Sequence, residues 1–320
     1  MVGSPLVQLA WHGGRALALS AWLGMALAGC AFEEPHSSPP NAGGGTASRP
    51  LVLTTFTVIA DMARQVAGEH LQVESITKVG AEIHGYEPTP SDLKRVSKAQ
   101  LILDNGLNLE AWAARFFSNA TAVPLATLSE GIKPLPIAAD AAAGQPNPHA
   151  WLSPKLAEQY VENIRLAFSR LDPAHADAYR RNAERYRLQL RALDRELQAA
   201  VAAIPPGQRV LVSCEGAFSY LAADYGLREA YLWPVNAESQ VTPQRMARLI
   251  QLVREREVPA VFCESTVSDR SQRQVAAEAG ARFGGILFVD SLSGPGGPAS
   301  SLLELQRHNI RTLVSGLKGP

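Results

Sequence analysis

Cysteine is nearly absent: the 320 residues hold 3. So few thiols exclude a disulfide framework, and a buried apolar core must supply the stability. An excess of either charge is also missing, with 30 basic and 30 acidic residues. No basic stripe and no interleaving of aromatic with basic residues is present, so nucleic acid is not an expected partner. Beyond Cys30 no apolar run approaches the ~20 residues of a membrane-spanning helix. A His-Glu-x-x-His pair is lacking too, which removes the metalloprotease signature.

What is present begins with a targeting segment. Arg15 precedes Ala16 to Gly29, an uncharged run rich in Ala and Leu that stops at Leu27-Ala28-Gly29-Cys30. The run is too short to span a bilayer and suits the apolar region of a signal peptide, residues 1–29. Its ending matches the bacterial lipobox, in which Cys30 would be lipidated and become the mature N-terminus. The alternative is an ordinary signal peptide with a cysteine by chance. Residues 30–50 would then be the lipidated Cys and its tether. From Glu33 to Arg49 that stretch is rich in Pro, Ser, Gly and Asn, a composition unable to bury enough apolar surface to order itself. The expected location is the periplasm or cell surface, with the protein held to a membrane through Cys30.

From Leu51 the chain alternates short apolar strands with amphipathic helices, the pattern of parallel sheets under helical cover. Strands are predicted at Leu51–Thr57, Leu71–Val79, Gln100–Asp104 and Ala122–Thr127. The rhythm returns after Gly207, with strands at Arg209–Ser213, Glu229–Trp233, Ala260–Cys263 and Arg282–Val289. Two such runs predict two α/β lobes, residues 51–172 and 207–320, each with one parallel sheet. Between them, residues 173–206 form a charged helix with one apolar stripe through Tyr179, Tyr186, Leu190, Leu193 and Leu197. Roughly thirty residues at 1.5 Å each give on the order of 45 Å, enough for a rigid strut along both lobes.

Ligands of open α/β sheets sit beyond the carboxyl ends of strands. Four donors stand there: His84, His149, Glu215 and Asp290, two from each lobe. Each has an ordinary alternative. A lone loop histidine is usually a surface residue, as His70, His175 and His308 are taken to be. Glu215 could cap the helix after Gly216, and Asp290 could be a turn residue. One cation bound by all four would sit in the cleft between lobes. Cys214 is expected to be an apolar core thiol facing away from Glu215, since successive strand side chains point to opposite faces. The other option is a bond to Cys263, as both residues end strands of the second lobe.

The segments around these donors carry a resemblance. His84-Gly-Tyr-Glu-Pro-Thr-Pro-Ser-Asp92, Asn147-Pro-His-Ala-Trp-Leu152, Ser213-Cys-Glu-Gly-Ala-Phe218 and Val289-Asp-Ser-Leu292 resemble the ligand loops of cluster A-I solute-binding proteins. These are the extracytoplasmic components of manganese, iron and zinc ABC importers, and the likeness runs from about Leu51 to Leu317. It implies that His84, His149, Glu215 and Asp290 bind one divalent cation as cargo. It also implies an ABC permease as partner, a monomeric protein and no enzymatic activity. Zinc binders of the family typically carry His where this chain has Glu215, and often a His-rich loop before the second ligand. Here Ala138 to Asn147 holds no His. A mixed nitrogen and oxygen shell suits Mn²⁺ or Fe²⁺, with Zn²⁺ a tight competitor. The competing readings are a zinc-specific protein of the same family, a metallohydrolase with an open coordination position, and a surface adhesin without a metal site.

Overall fold

The apolar runs become short buried strands that alternate with helices. The computed structural model describes residues 48–117, 123–138, 143–235 and 241–318. Cys30, the expected leader 1–29 and the expected tether up to residue 47 lie outside these residues. In the first half, β1 (Leu51–Thr54), α1 (Thr57–Ala67), β2 (Gln72–Ser75), α2 (Pro90–Val96), β3 (Leu101–Asp104), α3 (Ala113–Phe117) and β4 (Leu125–Thr127) follow in order. The strands form one parallel sheet in the order β2-β1-β3-β4. Val52 of β1 pairs with Val73 on one side and Leu101 on the other. Helix α1 buries Val58, Ile59, Met62, Ala63 and Val66 against this half.

Helix α4 (Pro154–Leu171) starts at Ser153, whose hydroxyl accepts from Leu156 N at 3.2 Å, with Pro154 in the first turn. Pro is favoured there because its missing N–H would have had no helical acceptor. The predicted linking helix is α5 (Ala176–Ala202), 27 residues long. It buries Tyr179, Ala183, Tyr186, Leu190, Leu193, Leu197 and Val201, the expected stripe. A 3₁₀ turn at Pro173–His175 precedes it. Asp172 secures that turn by accepting from Tyr179 Oη at 2.6 Å, with His175 Nδ1 2.7 Å away. The stripe packs on α1 and α4 of the first half and on elements of the second. Ser48–Pro320 is thus one compact unit.

The second half runs β5 (Val210–Glu215), α6 (Ser219–Tyr225), β6 (Arg228–Trp233), α7 (Pro243–Glu255), β7 (Ala260–Glu264), α8 (Arg270–Ala279), β8 (Arg282–Leu287) and α9 (Leu302–Leu317). Here the structure departs from the expectation of one sheet. The strands form two parallel pairs, β5-β6 and β7-β8. Strands β5 and β7 lie side by side, but side chains make the bonds across their seam. Cys214 is bonded to Cys263, with Cα atoms 4.8 Å apart. Glu215 N donates to the Glu264 carboxyl at 3.2 Å instead of to a ladder carbonyl. The expectation of an isolated core thiol at Cys214 therefore fails, while its burial holds.

Among the described residues, no helix is long and apolar enough to cross a membrane. Of the three histidines set aside, His70 and His175 stack on each other, 4.0 Å between ring centres. His308 is no simple surface residue: it is half-buried, with Nε2 3.0 Å from Ile286 O.

Candidate metal centre

His84 lies on the loop between β2 and α2. The loop is stiff because its ends are bonded. Thr89 and Asp92 form a reciprocal capping box at the start of α2, with Pro90 in the first turn. Tyr86 Oη donates to Asp92 Oδ2 at 2.9 Å, so the same carboxylate holds loop and helix. Glu82 accepts from His84 N at 2.6 Å and from Gly85 N at 2.7 Å. Trp112 Nε1 donates to Ile83 O at 2.9 Å.

His149 follows Asn147-Pro148 and precedes a 3₁₀ turn, Ala150–Leu152. The oxygen Asn147 Oδ1 accepts from His149 N at 3.1 Å and lies 2.9 Å from Nδ1. An amide oxygen only accepts, so Nδ1 carries the proton and Nε2 presents its lone pair. Asn147 Nδ2 donates to Gly216 O at 2.7 Å, so the His149 loop is tied to the residue beside Glu215.

Glu215 is the last residue of β5. Gly216 follows because a side chain would not fit: a Cβ would lie 2.8 Å from the Tyr231 ring. At the start of α6, Glu229 accepts from Phe218 N at 2.8 Å and from Ser219 Oγ at 2.6 Å. Asp290 lies beyond β8, where Trp151 Nε1 donates to the preceding carbonyl, Val289 O, at 3.2 Å.

The four donors converge. Their ligand atoms all lie within 4.8 Å of one another. His84 Nε2 is 3.2 Å from His149 Nε2, 3.4 Å from Glu215 Oε1 and 3.7 Å from Asp290 Oδ2. His149 Nε2 is 3.9 Å from Glu215 Oε1 and 3.6 Å from Asp290 Oδ1. Two donors each ~2.1 Å from one ion, at the tetrahedral angle, lie ~3.4 Å apart. These spacings therefore suit a common cation. Without a cation the two Nε2 atoms are within hydrogen-bond reach of each other, while His84 Nδ1 and Asp290 Oδ1 are buried without such a partner.

Burial sets the charge state. His149 is fully buried, and Glu215 and Asp290 are 2% exposed. Desolvation lowers the His84 pKa to about 4, against the pull of Asp290, and the His149 pKa to about 3. Both imidazoles are neutral at pH 7, the form that donates a lone pair. Burial pushes Asp290 above the usual carboxylate range, because it strips water from the charged form, against a smaller opposing pull from His84. A divalent cation would reverse that penalty.

One residue escapes the reading of the sequence. Glu264, 1% exposed, ends β7 as Glu215 ends β5. The strand-end rule applied to Ala260–Cys263 would have found it. Burial raises its pKa to about 8. Cys214 and Cys263 stand close to Glu264, but their sulfurs are committed to each other. Because Asn147 fixes the His149 tautomer, Asn147→Ala is expected to weaken cation binding by roughly 10–100-fold. Titration with Mn²⁺ checks this, and unchanged affinity would remove Asn147 from that role.

A two-half α/β protein that brings two imidazoles and two carboxylates from strand ends to one buried point belongs to the class of metal-binding solute-binding proteins. The family described as zinc-uptake complex component A, periplasmic, matches residues 52–316, and the chain belongs to it. It is 50% identical over 271 residues to the iron-binding protein YfeA of Yersinia pestis, covering 85% of this chain and 87% of that one. It is 33% identical to the manganese ABC transporter substrate-binding lipoprotein PsaA of Streptococcus pneumoniae, covering 83% of this chain and 88% of that one. Among solved structures, an Mn-bound periplasmic metal-binding protein from Candidatus Liberibacter asiaticus superposes with a TM-score of 0.78 at 37% identity. That match covers 84% of this chain and 100% of the other.

Proposed function

We propose that this protein captures a divalent transition metal, Mn²⁺ or Fe²⁺, outside the cytoplasm and delivers it to the membrane permease of an ABC importer. Convergence of His84, His149, Glu215 and Asp290 carries the reading. Two neutral imidazoles and two carboxylates make a shell of net charge −2, which one M²⁺ neutralises. The relatives named for iron and manganese support the choice of metal. Oxygen donors point the same way, since they suit Mn²⁺ better than a third imidazole would. The family's zinc description keeps a zinc-specific protein as the second reading. Lobes 51–172 and 207–320 would close on the ion, with the 173–206 helix limiting their motion. Cys30, freed by removal of residues 1–29, would carry the lipid anchor at the periplasmic membrane face or cell surface. The protein would act as a monomer, without catalysis of its own.

Elemental analysis of protein purified without chelator tests the proposal, followed by competition between Mn²⁺, Fe²⁺ and Zn²⁺. About one equivalent of Mn or Fe per chain is expected. Metal-free protein that takes up none of the three would sink it.

The acid response follows from the pKa directions. Free imidazoles of ordinary pKa, ~6.5, would begin to compete protons against the cation below that pH. Here both stay neutral to about pH 4. The imidazoles are therefore not expected to weaken binding between pH 7.5 and ~5.5, and any loss there comes from protonation of Asp290, whose pKa burial raises. The metal-free protein shows the opposite side of the same shifts. Between the unfolded pKa of ~6.5 and the lower folded values, the unfolded chain binds more protons, so these histidines make stability rise with pH and fall as the solution is acidified. Binding isotherms across this range check the first statement. A tenfold loss per pH unit starting at 6.5 that persists in Asp290→Asn would contradict it.

A further inference from the structure

Asp290 belongs to the second half of the chain, yet the backbone on both sides of it is held by the first. Before it, Val289 O accepts from Trp151 Nε1. After it, Gly80 N donates to Ser291 Oγ at 2.7 Å, and Leu292 N donates to Thr57 Oγ1 at 2.9 Å. Ser291 Oγ itself donates to Leu292 O at 3.1 Å. That leaves the Thr57 hydroxyl as donor in its 3.4 Å contact with Ser291 Oγ. Every proton has one place to go. Both hydroxyl residues are buried. Thr57 opens α1, and Gly80 lies on the loop that carries His84.

The other three donors are anchored differently. His149 is held by Asn147, the His84 loop by Glu82 and Trp112, and Glu215 by its place in β5 beside the disulfide. Asp290 stands past the end of its strand, where the bonds on its flanks replace a ladder. For a cation to leave an enclosed shell, one donor must swing out first, and Asp290 is the donor whose position rests on the bonds of its two chain neighbours.

We infer that Thr57 and Ser291 form a clasp between the two halves that holds Asp290 at the site and sets the rate of cation release. The inference rests on the proposed capture function. Thr57→Val and Ser291→Ala keep size and remove the hydroxyl, stranding Leu292 N and Gly80 N respectively. Mn²⁺-loaded protein is mixed with excess chelator in a stopped-flow instrument and release is followed. Each variant is expected to release Mn²⁺ about 5-fold faster, a factor typical of one lost hydrogen bond. Association should stay within about twofold of wild type. The double variant should fall short of the product, since both residues serve one network. Thr57→Ser, which keeps the hydroxyl, should release at the wild-type rate; a general packing defect would not be rescued this way. Release rates unchanged in Thr57→Val and Ser291→Ala would overturn the clasp, as would an acceleration that Thr57→Ser shares. Wild-type protein that retains none of Mn²⁺, Fe²⁺ and Zn²⁺ would instead overturn the capture reading, and the clasp with it.

Discussion

Asp290→Asn is expected to lose cation affinity by about 10²–10³-fold while the metal-free protein becomes more stable. The two effects have one cause. Four protein donors to a transition metal bind with roughly 10–16 kcal/mol in all, so one donor is worth ~3–4 kcal/mol, or about that factor in Kd. Without the cation, the same carboxylate is 2% exposed and one of its oxygens has no hydrogen-bond partner. An amide of the same shape removes a buried charge that costs free energy. Titration with Mn²⁺ and thermal unfolding of the metal-free protein measure the two effects separately. Weaker binding together with lower metal-free stability would point to misfolding and not to a lost ligand. Glu215→His should behave differently: the shell gains a third imidazole, and preference should move from Mn²⁺ toward Zn²⁺. If metal preference and affinity stay as in wild type, Glu215 is not a ligand.

Removing the Cys214–Cys263 bond should be the largest change in stability. The bond closes a loop of 49 residues, for which chain entropy gives about 4 kcal/mol. For a domain of this size each kcal/mol moves Tm by ~2–4 °C. Cys214→Ala/Cys263→Ala should therefore melt on the order of 10 °C below wild type. Both residues are fully buried, so reductant should lower Tm only after the protein has been unfolded in its presence. A double variant that melts within ~2 °C of wild type would mean the bond does not form. Disulfides persist in oxidising compartments, so the bond accords with a location outside the cytoplasm.

Much of the fold was legible because its signals are local. The apolar run at Leu51 and the stripe from Tyr179 to Leu197 encode strand and helix in their own spacing, and β1 and α5 appear where those patterns lie. The Pro90-Ser91-Asp92 start of α2 is likewise written in adjacent residues. The candidate site was legible only in part. A rule about strand ends gave four donors, yet spacing could not say that they meet, and the motifs' resemblance to a family supplied that expectation. The same rule, not carried to β7, missed Glu264. The second half's two strand pairs were hidden because the seam between β5 and β7 is joined by side chains, and alternation of strands and helices carries no sign of it.

The sequence by itself determined the elements and the stiff loop under His84, because propensity, capping and turn chemistry act between near neighbours. Tertiary structure decided the rest. It brought His84 and His149 together across 65 positions, fixed the imidazole tautomer through Asn147, paired the cysteines and clasped Asp290 to the first half across 211 positions. Such bonds form only once the apolar faces have packed, so no periodicity along the chain announces them.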